Sequence, residues 1–268
     1  MYMDYIGLKI FNPKVGMLAL TCDKEEVSLV YGAAYQPGDV ISVEVPAAGR
    51  YCVIQFEDTM PPALVFMKQE KSGFPIPFKE QAMVYSPKSF TGTCHIIRAR
   101  FATLEEITAR RNLAFNPYDL SKDFGFYPHA ESNIESSLPG FAARNAIDGV
   151  LENAGHLFWP YHGWSSNKDP KAELTLDFGR PVTLDELRLT LRADFPHDSW
   201  WTHVTICFSD GSSEVLALEK TAKPQRFPIT PRTVTSLVLR DLKKAAEEST
   251  HTALTQIEAW GVEAGRSE

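Results

Sequence analysis

The sequence lacks most of the signatures by which enzymes and metal proteins can be read directly. It has no GxSxG elbow, no glycine-rich phosphate loop and no HExxH stretch. That leaves serine-hydrolase, nucleotide and zinc-protease chemistry without a motif. Cysteine is scarce: Cys22, Cys52, Cys94 and Cys207 show no CxxC spacing, so reduced thiols in a cytoplasmic protein are expected. The opening residues carry no basic and apolar leader pattern, although a trimmed secreted protein would look the same. No apolar run approaches the length of a membrane span, so membrane insertion is not expected. Basic residues are outnumbered, 27 against 34 acidic, for a net charge of -7. That balance argues against nucleic acid and anionic membrane surfaces, which both attract Lys and Arg.

What the chain has is alternation. Leu174, Leu176 and Phe178 fall on one face of a stretch whose other face is Glu173, Thr175 and Asp177. Leu187, Leu189 and Leu191 alternate in the same way with Arg188, Thr190 and Arg192, as do Val204, Ile206 and Phe208 with His203, Thr205 and Cys207. Period-two patterning marks a strand with one buried and one wet face. Ser209-Asp210-Gly211-Ser212 supplies a turn before residues 214–218 resume the pattern. Short strands separated by such turns, without a long amphipathic helix, imply antiparallel sheets packed face to face.

The first half reads the same way. Ile41, Val43 and Val45 alternate with Ser42 and Glu44, and Cys52, Ile54 and Phe56 share a face after the Pro46-Ala47-Ala48-Gly49 turn. These two stretches suggest a β-hairpin. Residues 63–67 are a continuous apolar run that suggests a buried strand, and Ile97, Ala99 and Phe101 alternate with Arg98 and Arg100. Thr103-Leu104-Glu105-Glu106 is a capping box that predicts one short helix near residues 104–112. With 268 residues, the chain suits two all-β, jelly-roll-like sandwich domains, residues 1–120 and 121–268. Their connector, about 116–133, holds the aromatics Tyr118, Phe124, Phe126 and Tyr127, so it is expected to pack between the domains and fix them.

Four stretches in a fixed order carry a family resemblance. They are Asn145-Ala146-Ile147-Asp148-Gly149, residues 172–179, Phe208-Ser209-Asp210-Gly211, and residues 254–261 ending in Glu258-Ala259-Trp260-Gly261. Residues 130–261 thereby resemble the discoidin domain, also called the coagulation-factor C-type domain. That family has the galactose-binding-like β-sandwich shared with many carbohydrate-binding modules. The resemblance implies binding rather than catalysis, and ligands held among loops at one end of the sandwich. The cysteine pair that many secreted members carry near the domain ends is missing here.

The resemblance also implies a structural calcium in the loop that begins at the Asp-Gly stretch. Asp148 matches its carboxylate, Asn153 can add an oxygen, and Gln256 stands where the family places a glutamate. Calcium needs several hard oxygen ligands, and an amide brings no charge. The competing reading is a tight turn in which Asp148 accepts from nearby backbone N–H groups.

Two loops combine aromatic and planar polar residues, the pairing that sugar faces and hydroxyls require. They are residues 156–164, with Phe158, Trp159, Tyr161, His162 and Trp164, and residues 192–201. His162, Arg192, Asp194, His197, Trp200 and Trp201 are the candidate ligand contacts, Arg192 because it leaves its strand on the wet face. Loop structure is the competing reading. Trp164 matches a core tryptophan of the family, and one of Trp200 and Trp201 is expected to point inward. His156 and His162 could form half of a metal site, although exposed polar loop residues are the plainer reading.

Three classes of function remain open at this point. The first is a non-catalytic carbohydrate-binding protein with a sugar or glycan ligand. The second is an interaction or assembly module with a protein partner. The third is a glycan-processing enzyme, whose acid/base pair would leave no trace in sequence.

Overall fold

A computed structural model of the chain describes residues 5–134, 136, 138–152, 159–193, 199–246 and 251–265. Among these residues the N-terminal half supplies β1 (Ile6–Asn12), β2 (Gly16–Asp23), β3 (Glu26–Tyr31), β4 (Val40–Glu44), β5 (Arg50–Gln55), β6 (Ala63–Met67), β7 (Lys71–Pro75) and β8 (His95–Phe101). After α1 (Leu104–Thr108) come β9 (Arg111–Asn112), β10 (Phe126–Tyr127), β11 (His129–Ser132), β12 (Trp164–Ser165) and β13 (Leu174–Leu191). The last four are β14 (Trp201–Phe208), β15 (Ser213–Ala217), β16 (Gln225–Lys244) and β17 (Ala253–Glu263).

The N-terminal strands form two antiparallel sheets, ordered β2-β1-β4-β7 and β10-β6-β5-β8-β3. Alternate residues meet between them: Leu8 and Ile10 of β1 and Ile41 and Val43 of β4 share one cluster with Cys52, Ile54, Val65, Ile97 and Ala99 of the other sheet. The expected hairpin of β4 and β5 is corrected by this arrangement. β4 pairs with β1 and β7, and β5 with β6 and β8. Both strands have a buried apolar face, and the turn between them carries the chain from one sheet to the opposite one. Alternation alone does not distinguish the two outcomes.

The apolar run of β6 has a different cause from the one expected. Ala63, Val65 and Met67 face the N-terminal core, while Leu64 and Phe66 are half-buried. Phe66 and Tyr51 lie under the Arg180 guanidinium, at 5.5 and 5.4 Å from the ring centroids. The run is continuous because the second half of the chain covers its outer face.

In the C-terminal half the sheet order is β12-β17-β13-β16-β14-β15, with β11 on β13 and β9 on β17. β13 bends at Gly179, where its register with β16 jumps from Asp177↔Ser236 to Val182↔Val234. Gly179 has a φ of +73°, and a Cβ there would fall 2.6 Å from Tyr127 Cγ, so the bend needs glycine. Leu174, Leu176 and Phe178 before the bend and Leu184, Leu187 and Leu189 after it join Val204 and Ile206 of β14 in one core cluster. The long sheet thus folds over itself as a β-sandwich.

The capping box forms as expected, with Glu106 N–H donating to Thr103 Oγ1 and Thr103 N–H to Glu106 Oε2. The helix stops at Thr108, earlier than predicted. The next residues are drawn into pairing, Arg111 with Gly261 and Asn112 with Trp260.

The connector and the residues just before it bind both halves. Leu113 and Ala114 lie in the C-terminal cluster, whereas Tyr118 and Phe126, further along the chain, lie in the N-terminal one. Asn116 donates to Phe126 O and Pro128 O and accepts from Tyr118 N–H. Tyr118 donates its hydroxyl hydrogen to Pro61 O. Arg144 closes the junction from the other side, donating to Asp119 O and Pro117 O.

Candidate functional site

Asp148 begins the turn at the loop end of the C-terminal sandwich. Its Oδ1 accepts from Val150 N–H at 2.9 Å and from Gln256 Nε2 at 2.8 Å. Its Oδ2 meets His162 Nε2 at 2.5 Å. Gln256 also accepts from Gly149 N–H and donates to Asn145 O, and this pair of contacts sets which way its amide faces. The bonds of the turn reading are therefore present, with Gln256 stapling the loop to β17.

Calcium is poorly served by this arrangement. Both oxygens of Asp148 already accept from N–H donors, and Gln256 turns its NH2 rather than its oxygen toward the carboxylate. A calcium ion wants six to eight oxygen ligands at about 2.3–2.6 Å. Asn153 lies outside the described residues, and among those described no group of three or more His, Cys, Asp and Glu is placed to hold a metal. Asp148 and Gln256 do not fit a calcium site in this arrangement.

The expected sugar contacts separate. Trp201 is corrected outright: its indole is 1% exposed and packs on Trp164 with ring centroids 5.9 Å apart. The start of β14 sends it into the core, and Trp200, half-buried, packs against that core from outside. Arg192, expected on a wet face, is buried with its guanidinium 3.3 Å from the Tyr161 ring centroid and 5.2 Å from that of Phe141. Loop aromatics cover it, and cation–π attraction favours the stack. His162 is buried against Asp148 and joins the turn network instead of an open surface. Asp194, His197 and His156 lie outside the described residues.

An open cleft lies beside this network, between the two halves. It has a volume of about 210 Å3. The C-terminal half contributes Arg144, Asp148, Glu152 and Trp159, and the N-terminal half Tyr85, Ser86, Ser89 and, just before the connector, Phe115. Trp159 N–H donates to Met83 O at 2.6 Å, which ties the tryptophan to the opposite wall. Arg144 holds its guanidinium 4.9 Å from the Tyr85 centroid while donating to three neighbouring oxygens. Thr59 and Ser89 hydroxyls pair at 2.6 Å in the N-terminal wall. Glu57 sits behind them, accepting from Phe90 N–H. Burial, then the adjacent Asp58 carboxyl, pushes its pKa up to about 7.

Only Trp159 and Asp148 of this cleft could be foreseen. Tyr85, Ser86 and Ser89 fall in a proline-punctuated stretch, and no local pattern links such a loop to one some 60 residues away. Among the described residues two buried Asp–His pairs exist, Asp148–His162 and Asp119–His129. Burial would lower the His129 pKa, but the hydrogen bond and charge of Asp119 outweigh it, and the net direction is upward.

Residues 128–260 match the model of a family described as a domain of unknown function (DUF7402). No curated protein matches the chain. Among solved structures, the chain is similar to chitosan-binding module 1, derived from a chitosanase/glucanase of Paenibacillus sp. IK-5. The identity is 18% over 56% of this chain and 99% of that one, with a TM-score of 0.37. It is similar to a family 32 carbohydrate-binding module of C. perfringens in complex with galactose, at 14% identity over 49% of this chain and 91% of that one, TM-score 0.38. A Streptococcus pneumoniae fucose-binding module follows at 11% identity, 56% and 96% coverage and a TM-score of 0.40. These are modules of the kind named by the discoidin resemblance, and at such scores they do not locate a ligand site on this chain.

Proposed function

We propose that the protein binds a carbohydrate without transforming it, in the cleft between Trp159 and the Tyr85–Ser89 wall. The observation that carries this reading is the half-buried Trp159, whose backbone N–H is tied to Met83 O and which lines the cleft together with hydroxyl and charged residues. A sugar presents C–H faces to such a ring and hydroxyls to such groups. Pockets for drug-sized ligands measure roughly 300–1,000 Å3, so a cleft of about 210 Å3 suits a single ring. Catalysis is not favoured by the carboxylates present. Asp148 has both oxygens engaged by donors, and among the described residues Glu152 is the only other carboxylate lining the cleft.

A glycan array followed by calorimetry tests the reading. Trp159→Ala is expected to weaken any sugar found by about 1–3 kcal/mol, roughly 5- to 150-fold. Equal affinity in wild type and variant would move the site elsewhere, and turnover of the bound sugar would restore the enzyme reading.

A further inference from the structure

The cleft is one of three depressions along the seam between the halves, and it shares lining residues with each of the other two. On one side it shares Val84, Tyr85 and Arg144 with a hollow of about 240 Å3. On the other it shares Phe115 and Gly149 with a groove of about 400 Å3. We infer that the three form one continuous groove that takes an extended, uncharged oligosaccharide, with a ring in each depression. The inference rests on the carbohydrate reading of the central cleft.

The passage toward the larger groove is shaped by a single contact. Gly149 has a φ of +83°, and a Cβ on it would lie 2.5 Å from Phe115 Cε2. Glycine lets the phenyl ring come close to the turn, where it lines both spaces. The chain then alternates: Leu151 lines the groove and Glu152 the cleft. Leu151 is 42% exposed, an apolar side chain standing where a ligand would cross from one space to the next.

Both ends repeat the pairing of ring and planar polar group. In the larger groove Glu258 Oε2 accepts from Trp260 Nε1 at 2.6 Å, and the Arg188 and Arg110 guanidiniums lie 4.3 and 5.4 Å from the indole centroid, so the ring is fixed as part of the groove wall. Asn112 Oδ1 accepts from Ala114 N–H and Ala259 N–H, each at 3.0 Å. Its NH2 therefore remains a donor, and the side chain lines the groove. In the smaller hollow, Phe78 and Phe124 stand beside Gln81 and Lys122. Ring faces with single donors and acceptors at intervals are what successive sugar rings require.

The charges argue for a neutral chain. Glu152 and Glu258 line the route, whereas Arg144 is committed to three oxygens and Arg111 to Glu263 and Ile107 O. A polyanion would meet these two carboxylates against the single lysine, Lys122, of the smaller hollow.

Calorimetry with cello-, malto-, galacto- and N-acetylchito-oligosaccharides of one to six rings tests this on the full chain. In any series that binds, affinity is expected to rise about tenfold or more from one ring to four as further contacts become intramolecular. Leu151→Asp, on an exposed side chain, should lower four-ring affinity more than one-ring affinity, while Trp159→Ala lowers both. Equal affinity for one and four rings, or a rise that Leu151→Asp leaves intact, overturns the extended groove and spares the single-site reading. Tighter binding of heparin fragments than of any neutral series overturns the uncharged class. A groove that takes an extended peptide library, with every sugar series silent, overturns both readings.

Discussion

Tyr51 donates its hydroxyl hydrogen to Glu263 at 2.8 Å, joining residues 212 positions apart across the two halves. Arg180 makes two hydrogen bonds to the same carboxylate and lies over the Tyr51 ring, and Arg111 approaches from the connector side. Burial would raise the Glu263 pKa, but its hydrogen bond and charge interaction with Arg180 outweigh it, helped by Arg111 and Tyr51, and hold it below the usual carboxylate value.

Removing that carboxylate strands two guanidinium groups at the seam. Glu263→Ala is expected to cost about 3 kcal/mol in urea unfolding, and Tyr51→Phe about 1 kcal/mol. A double variant no less stable than Glu263→Ala would show that the two act through one another. Strict additivity of the two losses would show that they do not.

Trp200 and Trp201 should behave as opposites despite being neighbours. Trp201→Ala opens a hole beside Trp164 and is expected to cost about 3–5 kcal/mol. Trp200→Ala removes a half-buried ring and should cost clearly less. Similar losses in thermal unfolding would contradict the inward placement of Trp201.

Gln256→Glu replaces a donor with an acceptor against Asp148 Oδ1 and Asn145 O. In calcium-free buffer the cost is expected to be about 1–3 kcal/mol. Two carboxylates would then face each other, the charge pattern that calcium favours, so added calcium should raise the melting temperature of the variant. Wild type should melt alike in EDTA and in calcium. A calcium-sensitive wild type would refute the hydrogen-bonded account of this turn.

Glu57 gives a pH dependence with a definite sign. An ordinary glutamate of pKa 4.5 loses its proton in the unfolded chain, while the folded one keeps it to about pH 7. Between those values the folded chain binds more protons, so this group's contribution to stability falls as pH rises. Glu57→Gln keeps an acceptor for Phe90 N–H and cannot ionise. Its stability relative to wild type should therefore improve from pH 4.5 to pH 7 and level off above. A difference that is flat across that window would mean Glu57 ionises normally.

Strands were legible because alternation is local: Leu174 to Phe178 and Val204 to Phe208 needed only their own neighbours. Partners were not legible, since β4 and β5 show the same pattern whether they pair or face each other across a core. The capping box revealed α1, but its end depended on β17 capturing residues 111–112. For the site, aromatic loops were visible and burial was not. Arg192 and Trp201 are hidden by residues distant in sequence, and the N-terminal wall of the cleft had no signal that joined it to Trp159.

The interleaved connector has a consequence for synthesis. Phe126 and Tyr127 complete an edge of the N-terminal sheet, so that sheet cannot close until they have left the ribosome. Leu113, by contrast, waits for Ala259 O and Asn112 for Trp260. The stretch made earlier is thus docked later, by the last of the described strands. The wall carrying Phe115 settles only then, and a chain stopped short of β17 would lack both that wall and the strand that joins β12 to β13.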